Sequence, residues 1–255
     1  MIQRPLIIGG ANGIGLAIAT AFSHDDAISR VSIVDKLPVC PEHMHSKFET
    51  FCFDLTEDDY SFFDRFTDVD AVMVTAGFGY LQTFADNDEN VITKSFAVNA
   101  IPPLRIAHRF YPRLLGKEPF RMGIMSSITG FLSSPFYAVY GATKAALRSF
   151  IESVNAELTK TGTSNRILCV APGSISGTSF NGQPTHVEEL LPLAQEIIIH
   201  LEHGDDLFIP HYDDIFRAVL QRYHEDFRAE GLRSYDYKVR SGRIALQPPA
   251  ISDND

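Results

Sequence analysis

Tyr140 and Lys144 stand four residues apart in Tyr140-Gly141-Ala142-Thr143-Lys144. Further along the same segment Leu147, Phe150, Ile151, Val154 and Leu158 recur at helical spacing. On a helix, positions i and i+4 share one face, one turn apart. A phenol, with an ordinary pKa of about 10, is a poor proton donor and acceptor at neutral pH. A neighbouring ammonium stabilises the phenolate and lowers that pKa. Two hydroxyls, Ser126 and Ser127, precede the pair and follow an apolar run, Met122-Gly123-Ile124-Met125. Such a hydroxyl can hold a substrate oxygen while its proton moves. The chemistry these types suit is proton exchange on a carbonyl/alcohol oxygen during hydride transfer.

A second group of residues suits a dinucleotide. The first apolar run, Leu6-Ile7-Ile8, leads into Gly9-Gly10-Ala11-Asn12-Gly13-Ile14-Gly15 and then a helical pattern with Ile14, Ala17, Ile18, Ala21 and Phe22 on one face. A tight strand-to-helix turn requires φ angles that glycine adopts cheaply. Missing side chains let a pyrophosphate approach the backbone, and the helix N-terminus supplies free N–H groups. Asp35 ends the second run, twenty residues beyond Gly15. A carboxylate there accepts bonds from the adenosine ribose hydroxyls and repels a 2′-phosphate. No Arg or Lys lies in the glycine loop, so the reading is NAD over NADP; the adjoining Lys36 is the one counter-indication.

The elements that must position these residues follow from the hydrophobic pattern. Short apolar runs at 6–8, 31–34, 51–53, 71–74, 122–125 and 167–170 alternate with helix-period segments. Runs that are apolar throughout are strands covered on both faces. The expectation is an α/β fold: one doubly wound Rossmann-type domain over 1–255, with a parallel sheet of about seven strands and helices on both faces. Thr56-Glu57-Asp58-Asp59 reads as a helix start, a capping hydroxyl followed by acids. Residues 173–190 read as a loop, 190–203 and 213–230 as helices, 174–203 as a substrate-covering loop and helix, and 242–255 as a loose tail. The 255 residues carry a formal charge of −10, which disfavours nucleic-acid partners. No apolar run approaches the ~20 residues that span a bilayer, no signal peptide is seen, and the three scattered cysteines suggest neither disulfides nor zinc. A cytoplasmic protein with no membrane and no metal is expected.

These motifs, in this order, resemble the short-chain dehydrogenase/reductase family over about residues 5–178. Gly9, Gly13 and Gly15 match its cofactor loop, with Ile8 where the family usually has Thr. Asp54, followed by Leu55, matches the adenine-contacting Asp. Ala76 and Gly77, in Val74-Thr75-Ala76-Gly77, match the end of its Asn-Asn-Ala-Gly segment, both Asn positions being replaced. Asn99 matches its helix Asn, and Tyr140 and Lys144 its Tyr-x-x-x-Lys pair. The family's serine lies thirteen residues before the Tyr, which selects Ser127 over Ser126. Pro172-Gly173 matches its turn after the sixth strand, with Ile175 where the carboxamide is contacted. The pyrophosphate contact falls between Gly177 and Thr178, and is left open.

The resemblance implies an oxidoreductase acting on a small-molecule carbonyl or secondary alcohol. Tyr140 would be the acid/base and Ser127 the oxyanion partner. Lys144 would tune Tyr140 and hold the nicotinamide ribose, and Asn99 would place a water behind Lys144; Pro102-Pro103 would distort its helix. Tyr140 and Lys144 would both touch the cofactor, as would Asn12 and Ile14 in the loop. Phe131 and Phe136 flank the substrate position, with His186 and His211 as further candidates for a pocket. Helices over 89–115 and 137–160 would pair in a homodimer, a tetramer being the open extension. Leu207-Phe208-Ile209-Pro210 resembles a short closing strand. Tyr137 reads as packing, Tyr235-Asp236-Tyr237-Lys238 as surface or subunit contact, and the pairs His43/His45 and His200/His203 as solvated faces. The alternatives are an NADP-dependent reductase of the same family and a non-catalytic NAD(H)-sensing protein.

Overall fold

Apolar residues on both sides of the first, second and fourth strands call for a sheet sandwiched between helical layers, while the third, expected to be covered on both faces over 51–53, is an edge strand over 48–52 with Glu49, Thr50 and Cys52 exposed. The computed structural model, which describes residues 1–178, 180 and 184–244, has that form. Seven strands run β1 (Pro5–Ile8), β2 (Val31–Asp35), β3 (Phe48–Cys52), β4 (Ala71–Val74), β5 (Arg121–Met125), β6 (Ile167–Val170) and β7 (Leu207–Phe208). All pair in parallel, in the order β3-β2-β1-β4-β5-β6-β7. The order reverses between β1 and β4, which opens a crevice at the carboxyl ends of those strands.

Alternation along β1 shows how the layers form. Ile7 faces one core with Leu16, Ala17 and Phe22 of α1 (Gly13–Ser23) and Leu190, Ala194 and Ile197 of α5 (Val187–His203). Leu6 and Ile8 face the other core, with Ile106 and Phe110 of α3 (Ile101–Leu115) and Leu147 and Ile151 of α4 (Ala138–Thr161). Each buried Leu, Ile or Phe contributes roughly 1.5–3 kcal/mol. The helix part of segment 174–203 is thus a core helix packed beside α1. It starts at Val187, three residues before the expected start at 190. The short β7 pairs with β6 and closes the sheet as expected.

Three expectations are corrected. Thr56 starts no helix: its N–H and hydroxyl both donate to Asp54 Oδ1 (2.9 and 2.8 Å), and only a 3-10 turn over Ser61–Arg65 follows. The span 89–115 is two helices, α2 (Glu89–Asn99) and α3, parted at Ala100. Pro102 and Pro103 lack the N–H groups that the Val98 and Asn99 carbonyls would need to continue one helix. The span 213–230 breaks into a π turn (Tyr212–Phe216), α6 (Arg217–Glu225) and the first turn of α7 (Phe227–Arg240), with Asp226 capping α7 through the Arg228 and Ala229 N–H groups. Of the tail over 242–255, residues 245–255 lie outside the described residues. No described helix is long and apolar enough to cross a membrane.

Candidate active site

Every candidate residue lies at the carboxyl edge of the sheet or on a helix end facing it. The glycine loop follows β1, Asp35 ends β2, and Asp54 and Leu55 follow β3. Ala76 and Gly77 follow β4, Ser127 follows β5, and Pro172, Gly173 and Ile175 follow β6. Asn99 ends α2, while Tyr140 and Lys144 occupy the first turns of α4.

The glycines are required by close approach. A Cβ at Gly9, where φ is +88°, would stand 2.4 Å from the Ala76 nitrogen. A Cβ at Gly15 would stand 2.2 Å from the Gly9 carbonyl oxygen. Gly13, at φ +55°, meets nothing within 4 Å, so the turn above it is open. Asn12 is the N-cap of α1 but makes no side-chain cap bond, and no acid occupies the first turn. The Gly13 N–H donates to Thr185 Oγ1 (3.1 Å). The open turn and the dipole end of α1 fit a pyrophosphate. Asp35 is tied to the same loop: Ala11 N–H donates to Oδ2 (3.0 Å) and Leu37 N–H to Oδ1 (3.1 Å). Asp54 sits one strand further out. Its pKa is lowered chiefly by the Thr56 backbone bond, so its carboxylate is held ionised. The Leu55 carbonyl accepts from the Tyr60 hydroxyl (2.7 Å).

The replaced asparagines after β4 have a visible substitute. Thr75 Oγ1 donates toward the Gly9 and Ile8 carbonyls (2.9 and 3.1 Å), and the Thr75 N–H bonds Ile8 O (2.8 Å). The hydroxyl thereby joins the ends of β1 and β4, a bond worth about 1 kcal/mol. Asn99, fully buried, clamps the next turn at both ends: Oδ1 accepts from Phe78 N–H (2.9 Å) and Nδ2 donates to Phe78 O (2.7 Å). Nδ2 also reaches Thr143 Oγ1 on α4 (3.3 Å). A Cβ at the exposed Gly77 would lie 3.2 Å from Asn99 Oδ1 and 3.4 Å from Lys144 Nζ, so this turn runs beside the lysine.

The two serines divide their work. Ser126 Oγ donates to the Lys144 carbonyl (3.1 Å) and anchors α4. Ser127 Oγ reaches Pro172 O (3.3 Å) and accepts from Thr129 N–H (3.2 Å). It is also the side chain that partly opposes the upward pKa shift of the Tyr140 phenol. Burial is the larger influence and raises Tyr140 well above the ordinary phenol range. Lys144, 2% exposed, donates from Nζ to Met125 O (2.7 Å) and lies 5.6 Å from the Tyr140 ring centroid. Its burial brings its pKa down to about 8. The expected lowering of the Tyr140 pKa by Lys144 is not found in this structure: burial of the phenol raises it, and the side chain that opposes the rise is Ser127.

Four side-chain placements were not foreseen. The Phe180 ring packs 5.2 Å from that of Tyr140. Thr185 reaches across 172 residues to Gly13. Tyr235 packs on Phe136 with ring centroids 4.5 Å apart, and Lys238 is 6% exposed. The segment 235–238, expected at the surface, thus turns two of its residues inward. Nothing in local periodicity marks any of these, because each partner is distant in the chain. Among the other candidates, Phe131 and Ile175 pack partly buried against the core, Tyr137 precedes α4 with its ring 5.6 Å from that of Tyr140, and His186 and His211 are exposed. A surface cleft of about 710 Å³ lies away from this site, over Tyr60, Asp64, Leu104, Arg105, His108 and Arg109. Its arginines are already engaged, Arg105 by the Glu57 and Asp58 carbonyls and Arg109 by Asp64.

A parallel sheet that reverses at a glycine turn, with a Tyr–Lys helix over its crevice, defines a dinucleotide-binding α/β oxidoreductase class. The family model for short chain dehydrogenases matches residues 4–188, and the chain belongs to that family, whose members bind nicotinamide cofactors. It is 29% identical over 228 residues to the short-chain dehydrogenase RED1 of Pyricularia oryzae, covering 84% of this chain and 79% of that one. It is 24% identical over 242 residues to human 17-beta-hydroxysteroid dehydrogenase type 1, covering 86% and 70%. Its fold matches a short chain dehydrogenase from Burkholderia cenocepacia in complex with NADP, with a TM-score of 0.74, 19% identity and 91% and 97% coverage.

Proposed function

We propose that the protein transfers hydride between NAD(H) and a carbonyl or secondary alcohol, with Tyr140 as general acid/base. The observation that carries this reading is the meeting of Ser127, Tyr140 and Lys144 beside the turn that Gly77 leaves bare. A nicotinamide dinucleotide in the crevice would supply or accept the hydride. Gly9, Asn12, Gly13, Ile14 and Gly15 cradle its pyrophosphate, and Ala76, Gly77, Pro172, Gly173 and Ile175 line its inner end. Asp35 and Asp54, with Leu55, hold the adenosine end. Ser127 donates a hydrogen bond to the substrate oxygen. In reduction the Tyr140 hydroxyl gives its proton to that oxygen; in oxidation the phenolate takes it back. Lys144 holds positive charge beside the phenol and reaches the ribose. Asn99 keeps the Phe78 turn and Thr143 in place, which fixes the floor under Lys144.

Phe180, Tyr137 and Tyr80 surround Tyr140 or its neighbouring turn, so the substrate class that fits is an apolar or aromatic carbonyl compound. A panel of aldehydes, ketones and secondary alcohols, followed by nicotinamide absorbance, tests the reading. Absence of turnover with both cofactors across the panel would leave a dinucleotide-sensing protein as the better account.

Asp35 decides the cofactor. Its carboxylate is pinned to the loop by Ala11 and Leu37 and would face a 2′-phosphate at close range. Asp35→Ser is expected to move the NADH:NADPH ratio of kcat/KM toward NADPH by about tenfold or more, the scale of one lost like-charge repulsion. An unchanged ratio would show that Asp35 does not read the ribose.

The outer faces of α2, α3 and α4 are proposed as a two-fold homodimer contact. Light scattering on the eluting protein should give about twice the mass of one chain; a monomer at micromolar concentration removes the proposal.

A further inference from the structure

The segment Ser133–Tyr137 leads directly into the Tyr140 helix, and its Phe136 and Tyr137 line a narrow cleft beside Tyr140, with Gly79 and Tyr80 also lining it. Short and irregular, it carries a strained residue. Phe136 has φ 68°, a conformation that costs a non-glycine residue of its size free energy unless neighbours enforce it. One enforcing contact comes from Gln82, whose N–H donates to Phe136 O (3.0 Å). The others come from α7. Ser133 Oγ donates to Phe227 O (3.0 Å), and Tyr235 packs on the Phe136 ring. Lys238 Nζ donates to Ser134 Oγ (2.8 Å), Pro135 O (2.9 Å) and Ser234 Oγ (3.1 Å), and stands 5.4 Å over the Tyr137 ring.

This is an unusual use of a lysine. All three ammonium protons have acceptors, and two of those acceptors belong to the wall segment. Among the described residues no carboxylate pairs with it. Burial, and after it the charge of Arg243, lower its pKa to about 8. Burying an ammonium against hydroxyls and a carbonyl is expensive, and a residue placed for stability alone would be apolar here. The acceptors also say where the force is directed: onto Ser134 and Pro135, three to six residues before Tyr140 along with Phe136 and Tyr137.

We propose that Lys238 is a positioning residue for the reaction. Bonded to Ser134 Oγ and the Pro135 carbonyl, it fixes the Ser133–Tyr137 wall against which the substrate of Tyr140 is held. The C-terminal helix is thereby part of the substrate site rather than a surface element. This rests on the function proposed above for Tyr140. It separates the two sides of the site, because the cofactor cradle, built from the loops after β1, β2 and β4, receives no contact from Lys238.

The test uses the full chain and the variants Lys238→Met, Ser134→Ala and their combination. Lys238→Met is expected to raise the substrate KM about tenfold, with kcat falling less and the NADH dissociation constant staying within about twofold. Amide hydrogen exchange should accelerate over 133–139 and not over 9–15. Ser134→Ala should shift KM the same way by a smaller factor, and the double variant should be no worse than Lys238→Met, the pattern of one shared contact. An unchanged KM in folded Lys238→Met, a parallel rise in the NADH dissociation constant, or additive losses in the double variant would each overturn the proposal. If Lys238→Met does not fold, Ser134→Ala decides: an unchanged KM and unchanged exchange over 133–139 reject the clamp. If the wild-type chain turns over no carbonyl compound, the catalytic reading fails, while the exchange measurement still decides the clamp.

Discussion

Tyr140→Phe is expected to lower kcat by roughly 10²- to 10⁴-fold, the range one positioned acid/base contributes, with NADH affinity nearly unchanged. The substitution removes one oxygen and keeps the ring. Packing against Phe180 and Tyr137 therefore survives, and no glycine-loop contact is touched. The neutral hydroxyl is the favoured form where it sits. Burial raises its pKa, which means that the neutral phenol is favoured and the phenolate is penalised in the unliganded site. Above pH 10 the unfolded chain ionises this tyrosine while the folded chain resists, so its contribution to stability falls as pH rises through that region. The Phe variant loses that dependence and should unfold at the same denaturant midpoint as wild type or higher at neutral pH. Stopped-flow or steady-state rates beside a fluorescence titration of NADH check both halves. Turnover within a few fold of wild type would assign proton transfer to another group, with Ser127 the first to examine.

The residues behind that expectation were readable from the chain because they depend on short-range rules. Leu6-Ile7-Ile8 and Val31-Ser32-Ile33-Val34 are strands since their side chains must alternate between two apolar cores, and the core composition bears this out. Tyr140 and Lys144 share a face because helical geometry makes i and i+4 neighbours. The failures have equally physical causes. Thr56 looked like a helix cap, but a hydroxyl two residues after an aspartate can donate to that carboxylate instead, and Asp54 won. The break at Ala100 was visible in Pro102-Pro103 as a distortion, yet a missing N–H does not say whether a helix bends or stops. Thr185, Phe180, Tyr235 and Lys238 were missed because their partners lie as far as 172 residues away in sequence. Hydrophobic period cannot encode such contacts; they appear only once the sheet brings the strand ends together. Thr75 is intermediate. The loss of the family's asparagines was evident, but only coordinates show a hydroxyl spanning two strand ends in their place.

Lys144→Met is expected to abolish most turnover and at the same time to stabilise the fold below about pH 8. The two effects have one origin. Folding removes this ammonium from water, so its pKa drops from 10.5 to about 8. Below pH 8 both folded and unfolded chains are protonated here and the burial penalty is fully present. Between about 8 and 10.5 the unfolded chain binds more protons than the folded one, so stability rises with pH. The shift corresponds to about 3 kcal/mol, offset in part by the bond to the Met125 carbonyl that a methionine cannot make. A net gain of about 1–2 kcal/mol at pH 7 is therefore expected for the variant, shrinking toward zero or reversing by pH 10. Cys169, Tyr140 and Lys238 titrate in both proteins, so comparing the two urea midpoints at pH 7 and at pH 10 isolates Lys144; its coupling to the Cys169 thiol is a smaller correction. On the catalytic side, loss of the charge beside the phenol and of the proposed ribose contact should reduce kcat/KM by at least roughly 10²-fold. A group that destabilises the chain it belongs to is retained for what it does, and stability gained with activity lost is the signature of that trade. A Met variant that is less stable at pH 7 and still turns over would mean that Lys144 is an ordinary core residue and that the site draws its positive charge from elsewhere.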